Sequence, residues 1–178
     1  MPRFRQRRVA DLPPRVLREL RSDHAGELGA VWIYRGILAV TRDPELRTFA
    51  EAHQASEQEH LDFFLKHLPI GWHTRLAPLW KLAGFVLGAA PALLGPRAVY
   101  RTVAAVERFV DGHYAGQIEL LEAHPQHQWL RVHLSRFRDD ELHHRDDAAG
   151  RLAEAVPGWW ERIVEGGSAA GAAVARRV

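Results

Sequence analysis

The stretch ELHHRDD, at residues 141–147, places Glu141 and His144 three positions apart inside a run of helical periodicity. Residues three apart lie on one face of an α-helix, so the two side chains can point at the same ion. One such pair arises by chance in a chain of 178 residues with 11 histidines. A second pair makes chance a weaker explanation, because EQEH at residues 57–60 places Glu57 and His60 at the same spacing.

Each Glu-x-x-His pair is preceded by another glutamate at a similar distance. Glu27 lies 30 positions before the glutamate of the first pair, and Glu107 lies 34 positions before that of the second. A tyrosine follows Glu27 and Glu107 after seven residues, at Tyr34 and Tyr114, two helical turns further on nearly the same face. The order Glu, then Glu-x-x-His, therefore occurs twice, which predicts a duplicated helical hairpin.

Helical periodicity runs through the rest of the chain, and the Val/Ile/Thr alternation of a β-strand is not found in the sequence. Proline and glycine positions bound the predicted elements. Long helices are expected at about residues 16–41, 44–68, 96–123 and 128–156, and a shorter one at about 159–177. The sequence therefore predicts an all-α protein built on a bundle of four long helices.

Composition favours a single domain over residues 1–178, since 47% of the residues are hydrophobic. The sequence has no cysteine, which excludes disulfides, a thiolate nucleophile and Cys-ligated zinc or iron–sulfur sites. The start of the chain is basic and too polar for a secretory signal, so residues 1–15 are expected to form a flexible tail and the chain to be cytoplasmic. A net charge of +2 gives no reason to expect nucleic-acid binding.

The four repeated glutamates interrupt apolar stripes, although glutamate is usually exposed. Around Glu27 the stripe contains Leu20, Val31 and Leu38, and comparable apolar neighbours flank the other three. Four carboxylates are thus predicted to share one core.

Bare carboxylates cannot share an apolar interior, because each is costly to desolvate and like charges raise one another's pKa. Two divalent ions would balance four glutamates, and two neutral imidazoles would complete the shell. This donor set is typical of the di-iron carboxylate site in ferritin-like bundles. The candidate metal ligands are Glu27, Glu57, His60, Glu107, Glu141 and His144. The alternative is a set of partly buried ion pairs, in which Arg138 and Arg145 would neutralise Glu141.

The residues around these positions resemble the demethoxyubiquinone hydroxylase family of ubiquinone biosynthesis. The resemblance runs from about residue 16 to the C-terminus and is carried by SDHAGELGAVWIYRGILAV, EQEHLDFF, PLWKLAGFVLGAAPALLG, VERFVDGHYAGQIELL and FRDDELHHRDDA. It implies the same six metal ligands. It also implies a catalytic role in electron or proton delivery for His113 and Tyr114, with simple packing as the alternative.

The resemblance implies an O₂-dependent di-iron monooxygenase that hydroxylates the ring of a polyprenyl benzoquinol, converting demethoxyubiquinol to its 5-hydroxy product. The implied cofactors are two iron ions and O₂, with NADH suggested as the reductant. A homo-oligomer or a partner protein of ubiquinone biosynthesis is left open. Asp23 and Asp140 are expected to accept hydrogen bonds from ligand imidazoles, or else to be solvated.

Residues 76–95, LAPLWKLAGFVLGAAPALLG, form an apolar segment whose single charge is Lys81. Its uncharged run of 14 residues is shorter than the roughly 20 residues of a membrane-spanning helix. We expect an additional apolar helix, interrupted by Pro78 and Pro91, that lies in the bilayer interface. The chain would then be a peripheral protein on the cytoplasmic face of the membrane, beside a membrane-embedded polyprenyl quinol. The alternative is a buried core helix or a subunit interface.

Two other classes of protein compete with a hydroxylase. One is a ferritin-like iron-handling protein or peroxidase, which would have no use for the apolar segment. The other is a non-catalytic quinone or lipid carrier, which would have no use for four carboxylates in its core.

Overall fold

A computed structural model describes residues 9–152 and 158–178, and every regular element in these residues is helical. The described α-helices are α1 (Pro14–Val40), α2 (Pro44–His67), α3 (Ala77–Leu94), α4 (Pro96–Glu122), α5 (Gln128–Gly150) and α6 (Trp159–Ala175). Short 3-10 helices occur at Val9–Asp11, Ile70–Trp72 and Pro125–His127. The prediction of an all-α protein with an additional apolar helix and a C-terminal helix is confirmed.

The first-turn prolines explain why most helix boundaries agree with the prediction. Pro14, Pro44 and Pro96 each lie in the first turn of a helix, where the missing N–H would have no intrahelical partner. Asp43 also caps α2, because its side chain accepts a hydrogen bond from the backbone N–H of Leu46 at 2.8 Å. These signals are local and can therefore be read from the sequence.

Two predicted boundaries differ from the structure. Helix α5 ends at Gly150, whose low helix propensity favours termination, and Leu152 is no longer helical. The predicted end at residues 156–157 lies outside the described residues. At the other terminus, residues 1–8 of the predicted flexible tail also lie outside them, but Val9 and Leu12 are buried in an apolar cluster with Leu17, so packed structure begins before the predicted boundary at residue 15.

Four helices form two antiparallel hairpins, α1–α2 and α4–α5, and the other two helices cover one side of this bundle. Helix α3 packs along α1 and reaches α4, while α6 packs against α4 and α1. One apolar cluster contains Tyr34, Phe49 and Val103, and another contains Leu20 and Phe64. Along each bundle helix, the repeated glutamate lies between residues of these two clusters, so the polar site is at mid-height in the bundle.

Helix α3 approaches α1 so closely that glycines are required at the contact. A Cβ atom on Gly84 would overlap the carbonyl oxygen of Gly29, and one on Gly88 would overlap that of Ile33. The opposite face of α3 remains open, with Leu82 63% and Leu94 81% exposed. The alternative of a buried core helix is therefore wrong for this segment.

The prolines do not interrupt α3 as expected. Pro78 lies in the first turn, and the helix continues through Pro91 to Leu94, so the expectation of a break was wrong. The continuous helix has 18 residues, and it is the helix in the described part of the chain that is long and apolar enough to cross a membrane. The expectation that the segment is too short to span counted only the residues after Lys81.

The junction between α3 and α4 depends on Gly95. Helix α3 ends at Leu94 and α4 begins at Pro96, so one residue makes the whole reversal. Gly95 adopts a φ of 102° there, a region that residues with a Cβ rarely enter.

We expect Gly88→Ala to destabilise the fold by about 2 kcal/mol or more, because the new methyl group meets the backbone of α1, which cannot move aside as a side chain could. Gly116→Ala is the matched control. It lies in α4 with no neighbouring atom near its Cβ position, so it should stabilise the helix by up to about 1 kcal/mol. Urea unfolding of both variants measures the difference, and equal stabilities would contradict the close α1–α3 contact.

Candidate metal centre

All six predicted ligands are buried and converge at the middle of the bundle. One glutamate comes from α1, one from α4, and a Glu-x-x-His pair from each of α2 and α5. The exposed fractions are 4% or less for Glu27, Glu57, His60, Glu107, Glu141 and His144. The predicted burial of four carboxylates is therefore observed.

The six residues form two overlapping groups of potential ligand atoms. Glu27 and His60 belong to one group, Glu107 and His144 belong to the other, and the atoms within each group lie within 4.8 Å of one another. Glu57 and Glu141 are members of both groups. Two carboxylates are thus placed where they could bridge two ions.

Both imidazoles present Nδ1 to the carboxylates. His60 Nδ1 lies 3.1 Å from Glu141 Oε1 and 3.6 Å from Glu27 Oε2. His144 Nδ1 lies 3.0 Å from Glu57 Oε1 and 3.2 Å from Glu141 Oε2. The (i, i+3) spacing on α2 and α5 produces this convergence, because it puts each histidine one turn above its glutamate.

The donor set fits divalent metal ions of the first transition row. Oxygen and imidazole nitrogen suit such ions, and four carboxylates with two neutral imidazoles balance a charge of +4. Glu27 Oε2, Glu57 Oε1 and His60 Nδ1 are buried and make no well-aligned hydrogen bond among the described residues. Such atoms are costly to bury unless an ion or proton satisfies them.

The alternative of arginine ion pairs is not what the structure contains. Arg138 donates to Asp111 at 2.6 Å, and Arg145 pairs with Asp111 at 3.6 Å and Asp146 at 2.8 Å. Both arginines that were candidates for neutralising Glu141 therefore have partners on the bundle surface.

Without metal, protons take the place of cations in this cluster. Burial, together with the charge of Glu141, raises the pKa of Glu57 to about 8 and raises that of Glu107 well above its usual value. Burial would lower the pKa of His144, but its hydrogen bond to Glu141 and the neighbouring carboxylate of Glu57 raise it to about 10. Burial would also raise the pKa of Glu141, but the hydrogen bond from His144 and the neighbouring imidazole of His60 lower it to about 2. Metal binding must displace several of these protons.

We expect the melting temperature of the metal-free protein to fall as pH rises from about 6.5 to about 9. The pKa values of Glu57, Glu107 and His144 are raised in the folded state. Their contribution to the free energy of unfolding is therefore full below the unfolded pKa values, which are 4.5 for the glutamates and 6.5 for the histidine. It is lost as pH rises through the folded pKa values, which are about 8 for Glu57 and about 10 for His144. Glu141 acts in the opposite sense below pH 4.5, and the buried imidazole of His53, whose pKa is lowered to about 4, does so below pH 6.5. Thermal unfolding followed by circular dichroism measures the trend.

Metal-loaded protein is the control, because deprotonation favours metal binding and its melting temperature should hold or rise over the same range. Glu107→Gln, which resembles a protonated carboxyl group, should flatten part of the slope of the metal-free protein. A melting temperature that increases with pH in the metal-free protein would contradict the clustering of carboxylates.

The hydroxyl groups of the two repeated tyrosines donate hydrogen bonds to glutamates of the other helical hairpin. Tyr34 on α1 donates to Glu107 on α4 at 3.4 Å, and Tyr114 on α4 donates to Glu27 on α1. Each tyrosine therefore contacts the glutamate of the other hairpin. This exchange is what a pseudo-twofold axis through the site produces, and it agrees with a duplicated hairpin.

The His60 imidazole has further partners outside the carboxylate cluster. Asp140 Oδ2 lies 3.1 Å from His60 Nε2, so Asp140 contacts the imidazole of the opposite hairpin and not that of its own helix. His60 also packs on Phe137, with ring centroids 4.2 Å apart. Asp23 differs from the expectation, because it meets His113 and no candidate ligand imidazole.

The sequence reasoning missed His53 and Asp147. His53 stacks on His144 with centroids 4.3 Å apart, its Nε2 lies 3.0 Å from Asp147 Oδ2, and its Nδ1 lies 3.3 Å from the Tyr34 hydroxyl. The available signal was its position four residues before Glu57, on the same face of α2. Nothing in the spacing pointed to its partner on α5.

His113 and Tyr114 are neighbours on α4 but make different contacts. The Tyr114 hydroxyl contacts Glu27 directly. His113 instead contacts residues outside the carboxylate cluster. Its Nε2 lies 3.0 Å from Asp23 Oδ1, and its Nδ1 lies 3.3 Å from Arg176. Both residues line the cavity described next.

A largely apolar cavity of about 640 Å³ leads from the carboxylates to the surface. Its inner end is lined by the four clustered glutamates, and its walls come from α1, α3, α4 and α6. Near the surface it is bounded by Leu79, Leu82 and Val86 of α3, all of them about half exposed or more. A long apolar molecule could thus reach the carboxylate cluster from the exposed side of α3.

Comparison with known proteins places these residues in context. The model of the family described as ubiquinone biosynthesis protein COQ7 matches residues 14–175. A mitochondrial protein of Mus musculus named NADPH-dependent 3-demethoxyubiquinone 3-hydroxylase is 38% identical over 162 residues, which cover 87% of this chain and 74% of the mouse protein. The 3-demethoxyubiquinol 3-hydroxylase of Rhodospirillum rubrum is 38% identical over 161 residues, covering 89% and 74%. A similarly named Caenorhabditis elegans protein is 35% identical over 170 residues, covering 89% and 88%.

Proposed function

The chain belongs to the ubiquinone biosynthesis protein COQ7 family, and from this premise we propose that it is an O₂-dependent monooxygenase that hydroxylates the ring of demethoxyubiquinol in ubiquinone biosynthesis. The observation that carries the proposal is the pair of ligand groups sharing Glu57 and Glu141 at the inner end of an apolar cavity. The two groups suit a pair of metal ions, and the cavity suits a quinol with an isoprenoid tail.

We assign Glu27, Glu57, His60 and Glu141 to one iron ion, and Glu57, Glu107, Glu141 and His144 to the other. When bound, the two iron ions would supply the redox chemistry that activates O₂. The chain's own residues orient the ligands: Asp140 fixes the ring of His60, and Tyr114 fixes the carboxylate of Glu27. Hydroxyl and carboxylate partners of this kind hold a ligand in one rotamer and so shape the site before substrate enters.

The cavity would hold the quinol ring next to the carboxylates and exclude water from it. Its walls are mainly aliphatic and aromatic, with Trp80 and Trp160 among them. A dry site strengthens the interactions of the few polar groups that face the ring. The isoprenoid tail would leave past Leu82 and Val86, on the exposed face of α3, toward the lipid from which the substrate comes.

The reaction balances as a ring C–H bond converted to C–OH. One oxygen atom of O₂ enters the ring, and the other leaves as water after taking two electrons and one proton from a reductant and a second proton from solvent. The names of several relatives specify NADPH, whereas the family resemblance suggested NADH, so we propose a nicotinamide nucleotide as the reductant class. Protons released or taken up near the site have a hydrogen-bonded route through Tyr34, His53 and Asp147.

We place the chain at a membrane surface as a peripheral protein, on the cytoplasmic face. Support comes from the exposed apolar face of α3 and from the membrane location of a polyprenyl quinol. The eukaryotic relatives are named as mitochondrial proteins. A homo-oligomer or a partner protein would have to leave this face of α3 free for lipid.

Isotope labelling tests the reaction. Reduced, iron-loaded protein supplied with ¹⁸O₂, a nicotinamide reductant and a short-tailed demethoxyubiquinol analogue should yield a product with one added ¹⁸O atom in the ring. The same reaction in H₂¹⁸O with unlabelled O₂ should give no label. Protein that holds two irons and binds the quinol, yet gives no labelled product with either nucleotide, would leave iron handling or quinone carriage as the better account.

A further inference from the structure

A second polar cluster lies beside the metal centre, on the wall of the same cavity. It consists of Asp23, His113 and Gln117, and we refer to these residues as the Asp23 cluster. Asp23 Oδ1 lies 3.0 Å from His113 Nε2 and also accepts a hydrogen bond from Gln117 Nε2. Asp23 is 3% exposed and Gln117 is 4% exposed, so a buried carboxylate is held in an apolar surrounding by two neighbours.

The Asp23 cluster has unused hydrogen-bonding capacity. Asp23 Oδ2 is buried without a hydrogen-bond partner among the described residues, and so is Gln117 Oε1. A carboxylate oxygen left unpaired in a protein interior is costly, which suggests that a ligand or a water molecule completes it. The terminal torsion of an aspartate is soft, so a small rotation can turn Oδ2 toward a molecule in the cavity.

The cluster is braced from the outer side by the end of α6. Arg176 donates to Glu19 at 2.6 Å and lies 3.3 Å from His113 Nδ1, so the imidazole is fixed between Arg176 and Asp23. Because His113 and Gln117 both contact Oδ1 of Asp23, Oδ2 remains able to accept a hydrogen bond from another molecule. His113 and Gln117 are therefore positioning residues for this carboxylate.

The spacing between Asp23 and Glu27 is comparable to the length of a quinol ring. Asp23 precedes Glu27 by four residues on α1, so it lies about 6 Å along the helix axis from that glutamate and on nearly the same face. Both residues line the cavity. A six-membered ring with one oxygen at Asp23 would extend toward the metal cluster and bring another ring position next to it.

We propose that Asp23 anchors the substrate ring by accepting a hydrogen bond from a ring hydroxyl group, and that it thereby selects the reduced quinol over the quinone. A quinol hydroxyl can donate to a carboxylate, whereas a quinone carbonyl only accepts and gains nothing from it. This inference rests on the proposed function for the identity of the ligand. It adds a residue that decides the redox state and the orientation in which the ring binds.

Equilibrium binding to the full-length, metal-free protein tests the proposal without turnover. The probes are three short-tailed ligands: a demethoxyubiquinol analogue kept anaerobic, its di-O-methyl ether, and the corresponding quinone. Binding is followed by quenching of tryptophan fluorescence, since Trp80 and Trp160 line the cavity. The di-O-methyl ether has the ring of the quinol but no hydroxyl donor.

Asp23→Asn should weaken quinol binding about 10- to 100-fold, the usual effect of losing a hydrogen bond to a charged group. The ether and the quinone should be affected by less than about threefold, because they make no bond to the carboxylate. Asp111→Asn is the matched control. It makes the same change at a carboxylate that pairs with Arg138 at the bundle surface, away from the cavity lining, so all three affinities should stay unchanged.

An equal loss for all three ligands would show that Asp23 only supports the cavity, and no loss for any would show that it does not meet the ring. Either result overturns the proposal. If Asp23→Asn does not fold, the wild-type protein still decides, because equal affinities for quinol and ether would exclude a donor-dependent anchor. Labelled product with an unaffected Asp23→Asn would refute the anchor alone, whereas Asp23-dependent quinol binding without product would refute the hydroxylase alone.

Discussion

Replacing Glu141 with alanine is expected to remove both metal ions, from about two per chain to near zero. Glu141 belongs to both ligand groups and lies within 3.2 Å of both His60 Nδ1 and His144 Nδ1. Its loss leaves each ion with three of four protein ligands and one negative charge less to balance two cations. Metal content after anaerobic reconstitution with ferrous iron, measured by inductively coupled plasma mass spectrometry, checks the result.

Variants of the unshared ligands sharpen this test. Glu27 and Glu107 each belong to one group only, so Glu27→Ala or Glu107→Ala should retain up to one ion per chain. Glu59→Ala is the matched control on α2, since Glu59 is exposed and pairs with Arg136 at the surface. It should bind metal as the wild type does. A Glu141→Ala protein that still holds two ions would refute the assignment of Glu141 to both groups.

Replacing Leu82, Leu93 and Leu94 with serine is expected to reduce binding to phosphatidylcholine vesicles at least about 100-fold. These side chains are 63%, 76% and 81% exposed, so the fold itself does not bury them and the proposed membrane contact would. Burying a leucine side chain contributes roughly 1.5–3 kcal/mol, and three losses combine to several kcal/mol. Vesicle co-sedimentation measures the partition coefficient, while circular dichroism and iron content should stay close to those of the wild type.

The controls come from the opposite side of the bundle. Leu65 on α2 and Val132 on α5 are 46% and 56% exposed and lie on helices that are not the main packing partners of α3, so a Leu65→Ser/Val132→Ser variant should bind vesicles normally. Unchanged vesicle binding by the α3 variant, together with a changed oligomeric mass, would identify the face of α3 as a subunit interface.

Much of the candidate metal centre could be predicted because its signals are local. The (i, i+3) spacing of Glu57 and His60 puts both on one face of any helix that contains them. Apolar residues one turn away from Glu27 indicate burial without reference to another helix. Burial of like charges then requires a compensating cation, which is a general electrostatic argument.

Other features depended on contacts between distant segments. His53 was not selected because its partners, Asp147 and Tyr34, come from other helices. Asp23 was expected beside a ligand imidazole, and its partner is His113 on α4. Pro91 was expected to interrupt α3, and the helix continues through it.

The sequence by itself determined the helices of the bundle, the six candidate ligands and the apolar character of α3, because helical period, capping residues and side-chain charge act within a few turns of one helix. Only the tertiary structure decided that Glu57 and Glu141 belong to both ligand groups, that α3 packs by its glycines along α1, and that one oxygen of Asp23 is left without a partner. These features are distances between helices. They are set by how side chains far apart in the chain pack together, which no local spacing encodes.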